Sequence, residues 1–84
     1  MKEQEIGAVE HFFGKISVGV IKLKGVLKVG DTVHIKGKHA DFSQEVDSMQ
    51  IDHENVTEAK KGKSVGIKVA QPLHENDKVY KVIA

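Results

Sequence analysis

The side chains able to do chemistry in this sequence are few and scattered. Five histidines, His11, His34, His39, His53 and His74, are the natural candidates for metal binding or proton transfer. Zinc needs three or four ligands converging on one point. These histidines fall in five separate segments, with no H-E-x-x-H run and no H-x-H pair to bring two of them together. His39 and His53 do have acidic neighbours, Asp41 and Glu54, but a neighbour in sequence is not a third ligand. Asp47, Asp52 and Glu54 lie close together, yet paired carboxylates act as acid and base only where a pocket separates their pKa values. A G-x-S-x-G string does occur, at Gly62–Gly66, but it leads from a loop into an expected strand rather than from a strand into a helix, so it is no nucleophile elbow, and no Ser-His-Asp arrangement is recognisable. The sequence therefore predicts no catalytic residue, no metal and no cofactor, and a protein that is not an enzyme.

Lysines and aromatics remain. Lys60, Lys61 and Lys63 crowd one loop around Gly62. Lys36 and Lys38 follow one apolar run; Lys22, Lys24 and Lys28 lie along another. All 13 basic residues are lysine, against 12 acidic ones, for a net charge of +1. Without arginine there is no guanidinium fork for reading guanine, so sequence-specific DNA recognition is not expected, while lysine contact with phosphate is left open. Phe12 and Phe13 are adjacent, and on a strand they must face opposite ways. The expectation is cover for both; an exposed ring would stack a base or anchor a partner.

The elements that must carry these residues read as strands. In 84 residues, apolar side chains recur with period two, rich in Val, Ile and Thr and punctuated by Gly and Asp. One domain spans residues 1–84. Strands are expected at 5–13, 17–24, 32–36, 42–53, 65–69 and 78–83. The alternation breaks at Val20-Ile21 beside Gly19, and again at Asp47-Ser48, and both breaks read as bulges. Val33 and Ile35 should point inward, as should Val65, Ile67 and Val69. Residues 54–64 are too short and polar for a helix and read as a loop. Gly30, Asp31, Gly62 and Gly66 are expected to shape turns. Six strands with two bends predict an all-β fold, a six-stranded antiparallel closed β-barrel. No run is long enough to cross a bilayer as a helix and no signal peptide is visible. The sequence has no cysteine, which removes disulfides and thiolate chemistry and suits a cytoplasmic location.

The segments LKVGD and AKKGKSVGI, in this order on a six-strand pattern, resemble the second domain of translation GTPases such as elongation factor Tu and initiation factor 2. The resemblance covers residues 14–83 and implies a closed barrel. The chain has no G-x-x-x-x-G-K-[ST], so it binds no nucleotide through a P-loop and resembles the accessory domain standing alone, like short elongation-factor-like proteins. In tRNA carriers this barrel holds the aminoacyl end against its long fourth strand. The matching positions here are 49–53, with Gln50 in place of a glutamate, so that site does not carry over. Similar barrels also end some collagenase-type peptidases. Two functions are expected from the resemblance and the surface residues. One is a non-catalytic module contacting RNA (tRNA or ribosomal RNA) or a translation-related partner, through Lys60, Lys61, Lys63, Lys36, Lys38, Phe12 and Phe13. The alternative is a protein–protein interaction domain that completes or regulates a larger enzyme, a GTPase or a peptidase. The sequence leaves the oligomeric state open.

Overall fold

A computed structural model describes residues 2–38 and 41–83, so His39 lies outside the described residues. The described residues form ten antiparallel strands and no helix: β1 (Glu3–Phe13), β2 (Val18–Leu23), β3 (Leu27–Lys28), β4 (Thr32–Lys36), β5 (Asp41–Glu45), β6 (Met49–Ile51), β7 (Glu54–Val56), β8 (Glu58–Ala59), β9 (Ser64–Lys68) and β10 (Lys78–Val82). Eight of them make one sheet in the order β5-β4-β10-β1-β2-β9-β6-β7, and β3 pairs with β8 beside it. No helix among the described residues is long and apolar enough to cross a membrane.

The core follows from the alternation. Val33 and Ile35 of β4, Val65 and Ile67 of β9, and Val79 of β10 are all buried, and Val69 and Leu73 close the same interior. Aliphatic side chains at every second position give each strand one dry face, and wrapping the sheet brings those faces together. Burying each of the larger side chains is worth about 1.5–3 kcal/mol.

Four expectations change. First, the six strands are ten. The expected strand 42–53 breaks after Glu45, and its halves part: β5 pairs with β4 at one end of the sheet, and β6 pairs with β9 and β7 near the other. Val46 makes the corner, its N–H donating to Asp31 O (2.8 Å) and its carbonyl accepting from Gly30 N (2.8 Å). No ladder pairs the terminal strands β5 and β7. Second, residues 54–64 hold β7 and β8 rather than a loop. The β6–β7 hairpin turns on Asp52 and His53, both with positive φ (51° and 66°), the backbone of a two-residue type I′ turn. Third, β2 keeps its phase: Gly19, Ile21 and Leu23 are buried, and Val18 and Val20 face outward. The bends lie in β1 instead. Ile6 is an extra residue against β10 and Glu10 an extra residue against β2, so this long strand can cross the sheet while curving with it. Fourth, Gly66 shapes no turn; it sits mid-strand in β9, opposite Val20 and Gln50.

Gly30 and Gly62 do sit at turns, with φ of 97° and 91°, where a side chain would be strained. At the first of these turns the Asp31 carboxylate accepts a hydrogen bond from Lys28 N at 2.9 Å, and Asp31 N donates to Lys28 O at 3.1 Å.

Candidate functional site

The outward side of β2 carries two valines where a solvated sheet would carry polar residues. Val18 lies opposite Phe13 of β1 and Lys68 of β9; Val20 lies opposite His11 and Gly66. Phe13 is 46% exposed and Ile16, in the turn between β1 and β2, is 59% exposed. The Phe13 ring meets His11 edge-on, with centroids 4.5 Å apart. Gly66 has no side chain to fill the space beside Val18, and a Cβ there would stand 3.3 Å from Val18 Cγ1. The result is an open groove of about 340 Å³ with Phe13, Ile16, Val18 and Val20 on its walls, Gly66 in its floor, and Gln50, Asp52, His53 and Ser64 around it. Exposed apolar side chains gathered in one place mark contact surfaces; single ones do not.

The two phenylalanines part company. Phe12 is half-buried and packs against the core, while Phe13 stands in the groove, so the expectation that both are covered fails for Phe13. One exposed turn carries Lys60, Lys61 and Lys63 next to the groove. Gly62 N donates to Leu23 O and Leu23 N to Lys63 O, each at 2.9 Å, which pins this turn to the end of β2. Lys22 Nζ donates to Gly62 O at 3.1 Å. Lys36 is not part of this group. It ends β4, opposite Asp41 and Lys78, with β10, β1 and β2 between it and β9, a separation of roughly 19 Å at the usual strand spacing. Lys38 lines a second cleft, of about 430 Å³, with Gly37, His74 and Asp77. The expected lysine patch is thus two separate groups. Ile16, Val18, Val20 and the open floor at Gly66 were not singled out by sequence reasoning, which grouped Lys22 with Lys24 and Lys28 rather than with the turn at 60–63. Treating Gly19 as an inward position would have turned Val18 and Val20 outward and revealed them.

The histidines also separate. His34 on β4 lies between two carboxylates, Nδ1 2.6 Å from Glu3 Oε2 and Nε2 2.5 Å from Asp41 Oδ1, with Tyr80 alongside (centroids 6.5 Å). The hydrogen bond to Asp41, then that to Glu3, raises its pKa above the ordinary imidazole value, and the same bond lowers that of Asp41. Only the imidazolium can donate from both nitrogens. The two carboxylates sit on opposite sides of the ring and do not converge, so this is a clamp across three strands rather than a ligand set. No group of three or more His, Asp or Glu side chains among the described residues is arranged to hold a metal ion.

No family model matches the chain. A curated relative, "Uncharacterized protease MJ0090" of Methanocaldococcus jannaschii, is 48% identical over 77 residues, which cover 90% of this chain and 19% of the relative. The chain therefore spans about a fifth of that protein's length. Among solved structures, the C-terminal domain of a Geobacillus thermoleovorans protein described as a U32 peptidase superposes with a TM-score of 0.88 at 18% identity, covering 95% of this chain and 93% of that one. Its selenomethionine form gives 0.87, at 90% and 96% coverage. These findings correct the resemblance to translation factors and, with it, the RNA-binding reading: the likeness is to a peptidase-associated domain. The reason is physical. LKVGD and AKKGKSVGI encode a positive-φ turn, a corner and an inward-facing strand, and any sheet bent in this way needs them, whatever it binds.

Proposed function

We propose that this chain is a non-catalytic accessory domain that serves a larger peptidase-type protein by docking through its outer sheet face. The observation that carries the reading is the apolar groove of Phe13, Ile16, Val18 and Val20 on a sheet face that would otherwise be solvated. The 48% identity to one fifth of a longer protein described as a protease supports it, as does the matching fold of a domain cut from a U32-type protein. The sheet acts as a barrel-like scaffold whose ends are drawn together, and its role is to present that face. Turnover belongs elsewhere in the larger protein.

Two measurements test this. Incubated alone with casein or fluorogenic peptides, the chain should release no product above the blank; hydrolysis that co-purifies with it and disappears on unfolding overturns the non-catalytic role. In sedimentation, the archaeal relative with its matching segment removed should take up this chain in a one-to-one complex. Phe13→Asp with Val18→Asp should weaken that complex by about tenfold or more. A chain that sediments free in the mixture overturns the docking role.

A further inference from the structure

His34 sits where strands from both sides of β4 come under one ring. Its Nδ1 is 2.6 Å from Glu3 Oε2, at the start of β1, and its Nε2 is 2.5 Å from Asp41 Oδ1, the first residue of β5. Tyr80 of β10 and Ser43 of β5 stand opposite it across the two ladders. Only the imidazolium satisfies carboxylates on both nitrogens. A neutral imidazole carries one N–H, so it donates to one carboxylate and turns a lone pair on the other. One contact must then go, and the surroundings decide which. The Asp41 side chain is 70% exposed and that of Glu3 31%, so Asp41 turns into water at lower cost. Lys36 lies directly across the β4–β5 ladder from Asp41, and its charge already acts on that carboxylate. Among the described residues Glu3 has no ion-pair partner besides His34. The remaining charges nearby are placed: Glu5, opposite Tyr80, pairs with Lys24 and Lys78, Lys78 lies opposite Lys36, and Glu45 lies one outward position beyond Ser43, opposite Thr32.

We propose that His34 is a proton-operated latch on the tip of the β4–β5 hairpin. Charged, it holds the starts of β1 and β5 together. When the ring loses its Nε2 proton to solvent, it keeps Nδ1–H on Glu3 and releases Asp41 to Lys36. The movement stays at the tip, because Phe42 packs against the core and Gln44 is bound to Lys68 O and Ala70 N. The latch lies on β4 and β5, away from the groove residues of β2 and β9, so it stands or falls separately from the docking role.

The test is an NMR pH titration of the whole chain that follows the His34 ring nitrogens and amide exchange together. The neutral ring should carry its proton on Nδ1, as the bond to Glu3 dictates. Exchange at amides 36, 41 and 42, corrected for its intrinsic pH dependence, should quicken by about tenfold at the ring's own midpoint, while the amide of Val79 keeps its protection. Glu3→Ala should move the neutral ring's proton to Nε2, keep Asp41 held and abolish the step in exchange. Asp41→Ala should leave the proton on Nδ1 and the tip amides fast at every pH. A neutral ring protonated at Nε2 in the native chain, a step that survives Glu3→Ala, or tip amides that ignore the ring's titration each overturns the latch.

Discussion

Two adjacent rings show how much a single position decides. Phe12 faces Gly19 and packs against the core; Phe13 faces Val18 on the outside. Phe12→Ala should therefore cost about 2–4 kcal/mol in urea unfolding, while Phe13→Ser should change stability by less than about 1 kcal/mol yet weaken docking. Equal costs would mean that Phe13 is a core residue and the groove is not a free surface. The Asp52-His53 turn makes a second case. Both residues hold positive φ without being glycine, a conformation that Asn and Gly adopt with less strain. The double substitution D52N/H53G should raise unfolding stability by about 0.5–1 kcal/mol. A lower stability would show that the two native side chains favour the turn by contacts of their own.

At the scale of elements, His34 joins β1, β4 and β5 through one ring. Its pKa is raised in the folded protein, so its contribution is complete below the unfolded value near 6.5 and is lost as pH climbs through the folded value. The Asp41 pKa is lowered, so the acid limb of the same contact is lost only as pH falls through that depressed value. Stability should decline as pH rises from about 6.5 through the raised folded value, and His34→Gln should flatten that decline; an unchanged slope in the variant would assign it to other groups. The pattern of elements was legible where aliphatics alternate, as in Val33 and Ile35 or Val65, Ile67 and Val69. It was misread in β2 because Gly19 takes an inward place, where a Cβ would press on Leu73 Cδ1, and valines take the outward ones. The break at Val46 was visible as a phase change between Val46 and Met49, but local periodicity cannot say that the two halves go to opposite ends of the sheet. The groove face suffers from the same limit. Its lysines and phenylalanines were recognisable by type, whereas their grouping depends on strand order, which separates Lys36 from Lys60 and sets Val20 beside Gly66.

The whole molecule depends on how the two ends of the sheet are held. β5 has a ladder only with β4, and an edge left open would expose its backbone groups. Gln44 of β5 spans the gap with its side chain. Its Nε2 donates to Lys68 O at 2.7 Å, and its Oε1 accepts from Ala70 N at 2.8 Å. One amide thus supplies the donor and acceptor that a neighbouring strand would have given, joining β5 to the chain just beyond β9. Gln44→Met keeps the length and removes both bonds, leaving Lys68 O and Ala70 N without their partners. The expected cost is about 1–3 kcal/mol, read in urea unfolding. Amide exchange locates the loss: Ala70 N–H should exchange faster, while Val69 N–H, which donates to Ser17 O at 2.8 Å, should keep its protection. If both amides speed up together, the substitution has loosened the sheet as a whole; if Ala70 keeps its rate, the ends are held by the wrapped core alone and the Gln44 amide is incidental.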